Sequence, residues 1–138
     1  NISQIEEMPK GIPPGEYSVT SDGLHGEMNI SSLDSEGRFH GTLNLYPFDR
    51  KSTIVGSFDD ISHEIVFNRT IDTEQNPLEY YKGYKFTNVI ADCIFGTGPG
   101  SCYQYATFAG TFESINKPNQ TFGWYASHIP KPCPACPD

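Results

Sequence analysis

The sequence predicts an all-β protein, an eight-stranded antiparallel up-and-down β-barrel, on three observations. No window of eleven or more residues places apolar side chains at helical spacing. Short runs of aromatic and β-branched residues recur throughout, as strands require. The connections between them are short and rich in Gly, Pro, Asp and Asn, which forces neighbouring strands to run antiparallel. Closing such a meander removes two edges that would otherwise pair with other chains. A two-sheet sandwich is the alternative.

The strands are expected at 16–20, 26–33, 37–46, 52–58, 62–70, 84–95, 102–114 and 121–129. "DSEG", "DRK", "DDI", "GTGPGS" and "NKPNQ" supply turns, and "IDTEQNPLEYYKG" (71–83) is the one long connection. Residues 1–15 read as an N-terminal arm, 16–129 as the barrel domain and 130–138 as a Cys/Pro-rich tail. A chain of 138 residues is long enough to bury one core.

Alternation orients several strands. Phe39, Gly41, Leu43 and Leu45 make an inner row, with Arg38, His40, Thr42 and Asn44 outside. An outward Asn29 sends Met28 and Ile30 in; an outward Asn68 leaves Ile65 and Phe67 inside and His63 at the inner rim. Phe108, Phe112, Phe122, Trp124, Ala126 and His128 also point inward. A Cys93–Cys102 bridge would put Phe108 on the face of Thr87, Val89 and Ala91, sending Phe86 and Ile90 outward. That conflict is resolved either by a β-bulge or by reversing one strand's face.

Four sequons (at Asn1, Asn29, Asn68 and Asn119) and an even cysteine count lead to the expectation of a secreted, extracellular glycoprotein. A start at Asn1 suits a chain whose leader has been removed. Cys93 and Cys102 bracket a Gly/Pro turn, and a bridge there would close a loop of about ten residues, worth roughly 2.7 kcal/mol in the chain-entropy model. Cys133 and Cys136 sit among prolines, without the further ligands of a zinc site or the strand–helix setting of a redox motif, so a local disulfide or tail cysteines are expected, and whether the two pair with each other stays open.

A net charge of −8 with few clustered cations excludes nucleic acid as a partner, and no apolar run is long enough for a membrane span. No two of the four histidines fall at i, i+2 or i+4, no phosphate loop or hydrolase motif occurs, and neither metal nor cofactor is expected. "FDDISHE" (58–64) gathers three carboxylates and a histidine, which a solvated hairpin tip accounts for. "EYYKGYKF" (79–86) sets aromatic rings beside the long loop, where Tyr80 and Tyr81 would serve either as strand packing or as a binding lip.

"GEMNISSLDSEGRFHGTLN" resembles the early hairpin of the avidin/streptavidin family, in which a strand with Met and Ile meets a Gly-x-Phe-x-Gly-Thr strand through a polar turn. The strand count and a Trp on the last strand, Trp124 in "TFGWYASHI", are similar too. The resemblance implies a calycin-type barrel. It would place the biotin-contacting polar groups at about Asp22, Gly26, Leu43 and Leu45; two leucines and a glycine supply none of those hydrogen bonds, so biotin is not the expected ligand.

The leading expectation is a non-enzymatic binding protein for a small hydrophobic or aromatic molecule, held by Leu43, Leu45, Phe67, Phe108 and Trp124 with Tyr80 and Tyr81 at the lip. An alternative is a secreted interaction module, inhibitor or effector, engaging a protein partner through 71–83. A third is a lipocalin-like barrel enzyme with His63 or His128 as base. Self-association into a homo-oligomer is left open.

Overall fold

A computed structural model describes residues 12–47, 51–71, 74–87, 90–91, 103–104 and 106–129. The described residues form β1 (Gly15–Ser21), β2 (Leu24–Ile30), β3 (Arg38–Leu45), β4 (Ser52–Phe58), β5 (Glu64–Ile71), β6 (Glu79–Thr87), β7 (Ile90–Ala91), β8 (Tyr103–Gln104), β9 (Thr107–Ser114) and β10 (Lys117–His128). Eight of them close into an antiparallel barrel in the order β1-β10-β9-β6-β5-β4-β3-β2, while β7 and β8 make a separate two-stranded ribbon. The fold is therefore the all-β, eight-stranded closed barrel that the meander pattern implies.

Turn chemistry sets the hairpins. Asp22 and Gly23 both have positive φ (50° and 80°), which a two-residue link between right-twisted strands demands. In the β2–β3 connection Asp34 Oδ1 accepts from the backbone N–H of Glu36 and Arg38 at 2.8 and 2.9 Å, and Gly37 takes φ 80°. Asp59 does the same between β4 and β5, accepting from Ile61 and Ser62 at 2.8 and 3.2 Å. Those backbone donors favour the ionised form and hold both carboxyls below the usual aspartate value.

The conflict over Phe86 and Phe108 is resolved by the face of β6, whose inner row is Tyr81, Gly83 and Lys85. The β6–β9 register runs Tyr81↔Phe112, Gly83↔Gly110 and Lys85↔Phe108, then slips by one between Lys85 and Thr87. Phe108 thus shares the inner face with Tyr81 and Phe112, and Phe86 is exposed. The strand expected from residue 84 starts at Glu79, because Arg69 and Glu79 are already cross-strand partners. The long connection shrinks accordingly to 72–78. Cys93, Cys102, Cys133 and Cys136 lie outside the described residues, as does the tail.

Aromatic rings fill most of the barrel. Phe67 stacks on Tyr81 and Tyr81 on Phe112, each at 4.6 Å between centroids, and Phe112 on Phe122 at 5.3 Å. Trp124 meets Phe67 and Tyr81 edge-on at 5.3 and 5.6 Å. Its indole fits because Gly110 is its β9 partner and Gly83 lies opposite Gly110; a Cβ on Gly83 would stand 2.8 Å from the ring. The indole N–H is shared between the carbonyls of Lys82 and Thr111, at 3.1 and 3.2 Å.

One end of the barrel is capped. Ile12 is buried in the core, Tyr17 donates its hydroxyl to Pro13 O at 2.6 Å, and His128 Nε2 lies 3.3 Å from Pro14 O. Burial pushes the Tyr17 hydroxyl well above the ordinary phenol range. The segment 12–14 therefore packs onto the barrel.

Candidate functional site: the open end of the barrel

At the other end the antiparallel order brings together the end of β1, the start of β2, the ends of β3, β5 and β9 and the starts of β4, β6 and β10. There a cavity of about 250 Å³ opens between apolar walls that include Leu24, Leu45, Ile71, Leu78, Phe112 and Phe122.

Its floor is polar. Arg69 faces inward because Ile65, Phe67, Arg69 and Ile71 alternate along β5 with outward Val66 and Asn68. Its side chain is only 8 % exposed, and that of its cross-strand partner Glu79 13 %. Arg69 Nη1 donates to Glu79 Oε1 at 2.9 Å, and Arg69 Nε donates to Ser52 Oγ at 2.7 Å. Ser52 in turn donates to the Leu43 carbonyl. Tyr81 donates its hydroxyl to the same Glu79 oxygen at 2.8 Å, and Ser21 Oγ, 2.8 Å away, then acts as donor to Tyr81. Burial, seconded by the Glu79 charge, raises the Tyr81 pKa far above its ordinary value, so this phenol stays protonated and a donor.

The pair keeps two unused atoms. Arg69 Nη2 and Glu79 Oε2 make no protein hydrogen bond among the described residues, and both side chains line the cavity. Among the described residues the one side-chain atom that is both fully buried and unpartnered is Asn44 Oδ1, on β3 and away from this cavity, so Nη2 and Oε2 are not sealed off. At the rim Lys117 Nζ sits 5.4 Å from the Phe122 ring centre, and Asp22 stands in the β1–β2 turn.

The residues expected at a site separate into three places. Leu45 lines the cavity and Tyr81 holds its floor. Leu43, Phe67, Phe108 and Trp124 are packed in the interior. Tyr80 points outward from β6, about half exposed, opposite Asn68. Arg69, Glu79, Ser21 and Ser52, which carry the polar chemistry, were not singled out by motif; the β5 alternation that puts Phe67 inside is the signal that reaches Arg69.

The histidines lie elsewhere. His63 stacks near Phe58 at 6.3 Å and His128 meets Tyr17 at 5.0 Å, both at the capped end; His25 Nδ1 is 3.0 Å from Thr20 Oγ1 on the outer surface, and His40 is exposed. Among the described residues no group of three His, Cys, Asp or Glu side chains is placed to hold a metal, and no helix is long and apolar enough to cross a membrane. The sequon residues Asn29, Asn68 and Asn119 are all exposed.

Fold and site together define a closed eight-stranded antiparallel barrel with a capped end and an open end floored by a buried ion pair. That architecture is consistent with a calycin-type fold. Compared with protein-family models, with curated proteins and with solved structures, the chain matches none.

Proposed function

We propose that the protein is a non-enzymatic binding protein for a small apolar or aromatic molecule, taken up in the open end of the barrel. The observation that carries this reading is the cavity itself. An apolar void of roughly 150 Å³ accepts benzene, so about 250 Å³ suits one to two fused rings. Concave, mainly apolar pockets with a few convergent polar groups are the usual form of small-molecule sites. The four sequons, three of them at exposed asparagines, support a secreted glycoprotein as its setting.

A second reading is a protein-interaction role for the 71–83 segment. It is favoured by a groove of about 260 Å³ lined by Ile71, Glu74, Asn76, Leu78, Ile115 and Asn116, which shares Ile71 and Leu78 with the cavity.

Titration with naphthalene, followed by amide chemical shifts, tests the first reading. Shifts confined to the strand ends around the cavity are expected. Leu24→Trp, which fills the space from a half-buried wall position, should abolish them. No shifts in the parent protein, or undiminished shifts in the folded variant, would refute it.

A further inference from the structure

Resting on the reading of the open end as a ligand site, we propose that its ligand is an uncharged fused-ring molecule with an N–H and a C=O side by side, such as a lactam. The charges around the cavity decide against an ion. Arg69 and Lys117 are matched by Glu79 and Asp22, two of each sign. A carboxylate drawn to Arg69 meets Glu79, 2.9 Å from that guanidinium, and an ammonium drawn to Glu79 meets Arg69. Desolvating either ion leaves it facing a like charge as well as an opposite one, so the compensated pair gives little in return for the lost hydration.

The same pair suits a neutral donor–acceptor edge. Nη2 offers N–H groups and Oε2 offers lone pairs, and the two belong to residues directly opposite each other on neighbouring strands. A lactam carries its C=O and N–H on adjacent atoms of one edge, so the carbonyl can accept from Arg69 while the N–H donates to Glu79. Hydrogen bonds to charged groups are the stronger kind. The floor is also held in place before any ligand arrives: Ser52 fixes Nε, and Tyr81 with Ser21 behind it fixes Oε1, so rotation of either head group would break bonds already made. Above the floor the side chains of Leu24, Leu45, Ile71 and Leu78 offer apolar contact to the ligand's rings.

Three probes of one shape isolate the edge: naphthalene, 2-naphthoate and quinolin-2(1H)-one, titrated at pH 7 into the parent protein. The lactam should bind at least tenfold more tightly than either of the others. In Glu79→Gln the charge balance is lost and 2-naphthoate should overtake the lactam, a reversal of rank that a merely structural role for the pair would not produce. If that variant does not fold, the order among the three probes on the parent protein decides alone. Naphthalene binding as tightly as the lactam, or naphthoate binding best to the parent, overturns the lactam proposal while leaving the ligand site standing. Binding of none of the three overturns the site itself, and the lactam proposal falls with it.

Discussion

Removing one half of the Arg69–Glu79 pair should cost far more than removing both. In Glu79→Leu the guanidinium, with 8 % of its side chain exposed, loses the carboxylate it is paired with, and Tyr81 loses the acceptor of its proton. Breaking a buried pair this way costs about 3–5 kcal/mol. Access of Nη2 to the cavity lets water recover part of it, so we expect the lower end, about 3 kcal/mol, or roughly 10 °C in Tm for a domain of this size. Arg69→Met should cost a similar amount. The double variant Arg69→Met/Glu79→Leu strands no polar group: Ser52 still donates to the Leu43 carbonyl, and Tyr81 and Ser21 still bond each other. Apolar replacement of a whole buried pair is commonly neutral or stabilising. A double-mutant cycle by urea unfolding, read by far-UV circular dichroism, should therefore give a coupling of at least about 2 kcal/mol. Single substitutions costing less than about 1 kcal/mol, the range of exposed pairs, would refute the picture of a buried, fixed floor.

Three further outcomes are expected. Leu43→Trp, at a fully buried position facing Met28, should destabilise by about 1–3 kcal/mol or more through overpacking, whereas Leu24→Trp at the cavity wall should cost under about 1 kcal/mol; matched thermal melts decide. Gly110→Ala should lower stability by a similar 1–3 kcal/mol, because its Cβ would meet the Lys82 carbonyl and the Gly83 Cα, both backbone atoms, and near-ultraviolet circular dichroism should report a displaced Trp124. The folded-state pKa values of Asp34 and Asp59 lie below the unfolded ones, so their stabilisation is present above the unfolded carboxyl value near 3.9 and is lost as pH falls through the lower folded values. Asp34→Ala and Asp59→Ala should accordingly lower the urea midpoint at pH 7 and leave it nearly unchanged, relative to the parent, at pH 2.

The sequence by itself determined the barrel's strands, their antiparallel order and most of their inner faces, since period-2 alternation and turn residues are local properties. The row Phe39, Leu43, Leu45 and the row Ile65, Phe67 are buried where alternation puts them, and Asp22-Gly23 carries its hairpin in two residues. Arg69 was within reach of the same rule, two residues beyond Phe67. What it meets was not, because Glu79 becomes its neighbour only when β6 pairs with β5, and a ten-residue separation says nothing of which strands align. Register likewise needed the tertiary structure: the pairing of Lys85 with Phe108 puts Phe108 inside and leaves Phe86 outside, and the slip that follows is set by how the strands must coil to close the barrel rather than by any residue type in it. The division of the interior into a packed, capped end and an open one was decided last, by how ring volumes sum across eight strands.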